Sequence, residues 1–439
     1  MEVVIKSYSD AKMTLLVFAF GFVIFFLRFT QPIITPTIYA EDGVWLGSAI
    51  SNGWLHTLLN ARPDYFVFFN VFFLFIAAVL SKIFSGNVLL LAPLFIALLS
   101  YSFYAITSTI IFWTVKRYTN AVSAWVAFGL SVLIPLGLSQ AESFGTLVQV
   151  GFYMPILSIC FHLFKDDESS RIKKAVLDLF IFLMAATNPV CFVVTGVYFL
   201  INFLHAANKK KFLLDMLPLL VALLVLCIII APRMNGSGGI AGVSYNSEHL
   251  IEMVTARSIL YPFVFPFYHK LTNSLSLGLT GIYVGIVLFA YFRSEKKVKN
   301  AILLLAIMLI AYDVATVAGR SAITGLLTGY GATYPDRYFM GINIISTTLF
   351  AICLHQLQNP FIKYLMIVIL IVVYAVGSNI LFESASDKRR IALDFVFTNA
   401  LCNAKDEGNG FKRVMILPSP DWYIRVPAGY IDSLGCVKI

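Results

Sequence analysis

Long apolar runs alternate with short polar connections along the whole chain. Runs long enough to cross a hydrocarbon core of about 30 Å, roughly 17 to 25 residues each, begin near Met13, Val88, Ala121, Gln149, Leu213, Leu275, Ala301, Phe339 and Phe361. Another covers Ala175 to Leu204 and turns at Asn188-Pro189, so it reads as a hairpin of two helices. The run YFVFFNVFFLFIAAVLSKIF, residues 65 to 84, is as apolar, but it follows Arg62 and Asp64 and carries Lys82.

Positive charge sets the threading. The basic clusters are Lys6/Lys12, Lys116-Arg117, Lys165 with Arg171, Lys173 and Lys174, Lys209 to Lys211, and Arg293 with Lys296, Lys297 and Lys299. They belong together on the cytoplasmic side. If residues 65 to 84 crossed, Lys116-Arg117 would fall on the opposite side from Lys6/Lys12. Placed as a helix in the outer interface, that run lets every cluster lie inside; the alternative keeps it as a span with one cluster misplaced. The first reading predicts an all-α polytopic membrane protein with about eleven transmembrane helices, an inside N-terminus and an outside C-terminus. Its transmembrane domain covers 1–378, with a first outer loop at 30–87, and a tail of 379–439 lies outside. The apolar run at Met13 follows Lys6 and Lys12 like a signal sequence, but it is long and has no small-x-small cleavage site, so it reads as an uncleaved span.

Composition agrees: of 439 residues 59% are hydrophobic and 13% charged, against about a quarter charged in a globular domain. The net charge of +9 would suggest an anionic partner in a soluble protein, whereas here it marks the cytoplasmic face and no nucleic-acid partner is expected. There is no Walker loop, GxGxxG, HExxH or CxxC, so energy for any reaction must come from an activated donor or a gradient.

The unusual polar residues fall on the outer face. Glu41 and Asp42, in YAEDGVWL, leave the first span as adjacent carboxylates. Beside low-dielectric surroundings one of them is suited to general-base work; the pair also has the hard oxygens that hold a divalent cation, and Asp42-Gly43 reads equally as an ordinary solvated turn. Glu142 is the single acid of PLGLSQAESFG, and it acts either at an outer cavity with the first pair or as a helix cap. GRSAITGLLTGYGATYPDRYFMG, residues 319 to 341, brings Arg320 and Arg337-Tyr338 to a helix boundary. A guidinium there grips a phosphate bidentately or snorkels to the interface. Asp313 lies inside a run, where a charge costs about 2.5–3.5 kcal/mol on insertion scales; it is expected to face a polar cavity or pair with Arg320. The stretch 235–263 reads as a Gly/Ser entry followed by an amphipathic helix that brings Glu248, His249 and Arg257 to an acceptor groove or forms a plain structural loop. Asp178 and Asp215 read as topological balance, and His162 and His205 as core or interface residues.

Cys160, Cys191, Cys227 and Cys353 lie in apolar runs and read as small core residues. Cys402 and Cys436 lie in the outer tail, where disulfides persist, and are predicted to pair; closing a loop of about 35 residues contributes roughly 3–4 kcal/mol in the chain-entropy model. Trp422 and Tyr423, side by side in PSPDWYIRVPAGY, either stack on sugar rings or form the tail's own small core.

An acidic pair after the first span, an outer interfacial helix, a second acidic position and an Arg-Tyr before a late span resemble the GT-C superfamily of membrane glycosyltransferases, which includes oligosaccharyltransferase catalytic subunits and protein mannosyltransferases. The size, the outward tail and the EDG motif are most similar to the phage-encoded serotype-converting O-antigen glucosyltransferases (Gtr family). The resemblance covers the architecture of the whole chain, with motif matches at Glu41-Asp42, Glu142 and Arg337-Tyr338; this sequence has no DxD, so metal dependence is not implied. The resemblance implies a glycosyltransferase of the bacterial inner membrane. It would move glucose from an undecaprenyl-phosphate donor to O-antigen of lipopolysaccharide on the periplasmic face, with a flippase and a donor synthase as functional partners. Asp42 or Glu41 would take the acceptor proton and Glu142 would position acceptor or base. Arg320, Arg337 and Tyr338 would hold the leaving phosphate, and Trp422, Tyr423, Arg62 and Asp64 the acceptor. A lipid-sugar flippase or transporter, or a membrane acyltransferase using His162, are the other classes open, although no internal repeat of the kind common in transporters is evident.

Overall fold

The computed structural model describes residues 2–63, 65–166, 168–234, 249–319, 329–331, 336–382, 397–418 and 422–434. It is a bundle of helices with a small sheet at one end. The principal helices are α1 (Glu2–Arg28), α2 (Glu41–Asn52), α3 (Trp54–Asn60), α4 (Phe68–Ser85), α5 (Ala92–Tyr118), α6 (Ala121–Val132), α7 (Met154–Lys165), α8 (Arg171–Thr187), α9 (Val190–His205), α10 (Lys209–Met234), α11 (Asn273–Arg293), α12 (Lys296–Gly319), α13 (Met340–His355) and α14 (Pro360–Val376). Six helices among the described residues are long and apolar enough to cross a membrane, and shorter apolar helices accompany them. Together with the fold likeness given below, this makes the chain a polytopic all-α membrane protein. Connections start where the sequence supplies caps: the side chains of Asn120, Ser170, Thr272 and Asn359 accept backbone N–H groups at the starts of α6, α8, α11 and α14.

Side-chain pairs give the relative directions. Trp113 donates to Thr14 Oγ1 at 3.1 Å, Phe25 packs on Tyr104, and the Tyr101 hydroxyl donates to Phe29 O at 2.5 Å. α1 is therefore antiparallel to α5 and lies along its second half. α4 is also antiparallel to α5, with Phe73 on Phe103 and Phe84 on Phe95, but along its first half. α4 thus begins at the level where α1 ends and runs away from it. By length and composition it could cross a membrane, but it does not run alongside α1.

Two expected spans are broken. α6 and α7 have 12 residues each, about 18 Å of helix, and 133–153 between them is largely irregular with short helical turns. Non-helical backbone at membrane depth must find partners for its polar groups within the protein. Here helices all round supply them: Arg28 donates to Val132 O (2.7 Å) and Ile134 O (2.8 Å), Tyr104 to Ser143 O (3.0 Å), Asn70 to Leu147 O (2.7 Å) and Val148 O (3.0 Å), Asn188 to Gly151 O (2.9 Å) and Tyr312 to Phe152 O (3.3 Å).

The tail folds as a three-stranded antiparallel sheet, β1 (Lys405–Gly408), β2 (Phe411–Met415) and β3 (Tyr423–Pro427), in the order β1-β2-β3. Arg413 and Arg425 stand opposite each other across β2 and β3, an arrangement that repels. Glu407 accepts from Arg413 Nε at 2.7 Å and Arg425 Nε at 2.8 Å, and these bonds hold its carboxyl below the usual range. The alternate residues Val414, Ile416, Ile424 and Val426 are buried and form the face that packs on α2. Contact is close because α2 offers glycines: a Cβ on Gly43 would sit 2.4 Å from Ile416 Cδ1, and one on Gly47 2.8 Å from Ile424 Cγ2 and 2.9 Å from Arg425 O. Tyr39 and Leu417 form a parallel bridge, so the tail and the first loop share one face of the bundle. Cys402 is disulfide-bonded; its expected partner Cys436 lies outside the described residues.

Candidate active site

Chemistry converges where the irregular segment, the start of α2 and the tail meet. Ala40 adopts φ +47°, a conformation costly for a residue with a Cβ, of order 1–3 kcal/mol. The bridge to the tail overdetermines it, with Ala40 N donating to Leu417 O at 2.5 Å and Leu417 N to Ile38 O at 3.2 Å. This kink starts α2 at Glu41, so Asp42-Gly43 lies in a helical first turn and not in the solvated turn that its sequence suggested.

The two adjacent acids part company there. Asp42 is fully buried, and its Oδ2 accepts Leu147 N at 2.7 Å. It ties the start of α2 to the irregular segment and does not line the cavity. Glu41, one step earlier, does line a cavity of about 600 Å³, together with Glu142, Arg337, Tyr338, Arg62, Trp422 and Asn70. That volume is within the range of small-molecule sites, about 300–1,000 Å³.

Glu142, in the short helix Gln140–Ser143, pairs with Arg337, and the Tyr39 hydroxyl donates to its other oxygen at 3.5 Å. Arg337 also donates to the Tyr338 hydroxyl at 3.2 Å. The pair joins two loops 195 residues apart and leaves Arg337 partly exposed to the cavity, its side chain 23% accessible. Arg62 stands over the Tyr65 ring at 5.2 Å. Trp422 lines the cavity, whereas Tyr423 lies in β3 beside a second groove, its ring under Arg413 at 3.9 Å. Asp64, Arg320 and Glu248 fall outside the described residues. Among the described residues no three His, Cys, Asp or Glu side chains gather to hold a metal ion.

Of the 235–263 stretch, residues 235–248 lie outside the described residues, and the remainder differs from its expectation. Residues Glu252–Leu260 form a π-helix with both charges buried, not an amphipathic surface helix. Arg257 pairs with Asp336 and lies 3.8 Å from Glu252 Oε1, while Asn343 Nδ2 donates to Arg257 O at 2.6 Å. Arg257 therefore anchors the turn just before Arg337 and does not line the cavity. His249 lies 3.4 Å from Glu252 within the same network. Asp313 accepts from Ser258 Oγ on the π-helix at 2.5 Å; its expected partner Arg320 lies outside the described residues. Asp178 forms a 2.5 Å ion pair with Lys165. His162 stacks on Tyr198 at 4.2 Å and meets Thr195 Oγ1 at 3.0 Å in the bundle core.

Sequence reasoning missed several cavity residues: Tyr39, Gln149, Asn188, Tyr312 and Thr316. The available signal was polar residues inside apolar runs, Asn70 and Asn188 above all, which mark where helices face something other than lipid.

No protein-family model and no curated protein sequence matches the chain. Solved structures do. An oligosaccharyltransferase from Archaeoglobus fulgidus, crystallised with zinc and sulfate, superposes with a TM-score of 0.50 at 13% identity, over 88% of this chain and 55% of that one. This chain therefore spans about half the length of that protein. ArnT from Cupriavidus metallidurans gives 0.49 at 13% identity over 90% of this chain and 68% of its own in the apo state, and 0.46 at 13% over 89% and 68% when bound to undecaprenyl phosphate. The likeness to the oligosaccharyltransferase is one of fold.

Proposed function

We propose that this chain is a GT-C-type glycosyltransferase that moves a sugar, glucose in the simplest reading, from a polyprenyl-phosphate donor to a hydroxyl of O-antigen polysaccharide on the periplasmic face of the inner membrane. The observation that carries the reading is the single cavity that gathers Glu41, Glu142, Arg337, Tyr338 and Trp422 from four distant parts of the chain. The shared architecture with an oligosaccharyltransferase supports it as a fold argument.

Glu41 acts as general base. It takes the proton of the acceptor hydroxyl as that oxygen bonds to the anomeric carbon, while the bond from that carbon to the phosphate oxygen breaks. The leaving polyprenyl phosphate keeps the electron pair, and Arg337, with the Tyr338 hydroxyl, meets the charge that develops on it. In the resting site Glu142 neutralises Arg337, so a donor phosphate must either take over this guanidinium or share it through its remaining N–H groups. Either way Glu142 sets the direction of Arg337. Asp42 serves by holding Glu41's helix in place.

The test uses the purified full chain in nanodiscs with undecaprenyl-phosphate glucose and an O-antigen oligosaccharide, read by mass spectrometry. Wild type should add one hexose per repeat, and Glu41→Gln should lower kcat by about 10²–10⁴, the usual contribution of a general base. Unimpaired Glu41→Gln would remove Glu41 from the role, and no transfer by wild type with intact donor and acceptor would sink the transferase reading.

A further inference from the structure

A second groove of about 620 Å³ opens beside the cavity. Val44, Gly47, Ser48, Ser51 and Asn52 line one side of it, spaced as one face of α2, and Trp422, Tyr423 and Arg425 of the tail line the other. Trp422 belongs to both spaces. The two are thus neighbours across one indole, and α2 serves both: Glu41 of its first turn lines the cavity, and its later turns form the wall of the groove over about 12 Å of rise.

The lining specifies a ligand class. It offers the Trp422 ring, the Tyr423 ring with one face under Arg413, an exposed carboxamide and two serine hydroxyls, Ser48 accepting from Thr57 and still able to donate, Ser51 donating to Arg425 O and still able to accept, with no acidic side chain. Its one cation, Arg425, is bonded to Glu407 and stacked 3.9 Å from the Phe411 ring. Such a surface suits an uncharged polyhydroxylated chain, whose ring faces stack on aromatics and whose hydroxyls bond to Ser and Asn. An anionic polymer would need a cation that is not committed elsewhere.

Resting on the transferase reading above, we propose that this groove is an extended acceptor subsite that holds the sugar units of a polymer next to the one being modified, so that the enzyme selects a neutral polysaccharide over a short glycan. Trp422 is the fulcrum between the reacting unit and its neighbours.

The experiment compares a single-repeat neutral O-antigen oligosaccharide with its four-repeat oligomer, using full-length protein in nanodiscs with undecaprenyl-phosphate glucose. In wild type the longer acceptor should show a KM at least tenfold lower, the equivalent of about 1.4 kcal/mol. Asn52→Trp, which fills the groove from its exposed rim, should erase that advantage and leave kcat and single-repeat transfer unchanged. Equal KM for the two acceptors in wild type, or an advantage that survives both Asn52→Trp and Ser51→Trp, would overturn the proposal. If neither acceptor is glucosylated, the transferase reading fails instead. Thermophoretic binding of the four-repeat oligomer to wild type and Asn52→Trp then decides the groove on its own: tight binding lost in the variant upholds it, and no difference overturns it.

Discussion

Asn70 shows how single polar groups shape this protein. It lies in an apolar helix and satisfies two backbone carbonyls, Leu147 O and Val148 O, of the irregular segment beside the cavity. Asn70→Leu would take that donor from Val148 O, whereas Leu147 O keeps its bond from Val150 N at 3.2 Å; a buried carbonyl left without a donor costs about 1–3 kcal/mol. Stability in detergent, measured by titrated unfolding, should fall by at least that much, and donor turnover should fall with it; a variant as stable as wild type would show that the segment re-pairs on its own. Residues of this kind also mark what the sequence could tell. Glu41, Glu142 and Arg337 were legible because a charge in an apolar chain stands out, whichever partner it finds. The separate fates of Glu41 and Asp42 were not, because adjacent acids look alike until the bend at Ala40 sends one to the cavity and the other to Leu147 N. Arg257, which the sequence alone assigns to an acceptor groove or a plain loop, departs from both for the same reason: a sequence shows a charge but not the Asp336 that buries it.

At the scale of elements, hydrophobic runs located the helices well and their ends poorly. The runs beginning near Ala121 and Gln149 each look like a full span, but their helices stop at Val132 and begin at Met154. The apolar residues between them pack as irregular chain around polar donors, which periodicity does not distinguish from helix. The contact between α2 and the sheet depends on absent side chains, so composition gave no hint of it. Gly47→Ala would press a methyl to 2.8 Å from Ile424 and 2.9 Å from the Arg425 carbonyl, and overpacking of this kind costs about 1–3 kcal/mol. Proteolysis within residues 405–427 should accelerate in that variant, while Gly129→Ala, where a Cβ meets nothing within 4 Å, serves as the control. Equal cleavage rates would mean that the sheet can shift without loosening.

At the scale of the molecule, the short connections from α5 to α6, α7 to α8, α9 to α10 and α11 to α12 carry the basic clusters, and the tail bridges to the first loop on one common face. The threading expected from charge requires that face to be the periplasmic one. Alkaline phosphatase fused after Ile439 should therefore be active in cells, and a fusion at Asn208 inactive; the reverse pattern would invert the whole arrangement and put the proposed donor on the wrong side.

The bridge between Tyr39 and Leu417 also sets an order of events during synthesis. One wall of the cavity comes from residues near the start of the chain and another, Pro418 and Trp422, from near its end. The ribosome delivers the first long before the second, and on the threading expected from charge the second must still cross the bilayer after α14 has been inserted. Until then Glu41 faces an open trough. On the proposed function, transfer therefore waits for the tail, and a copy truncated before Leu417 should be inactive in the membrane however well its helices have assembled.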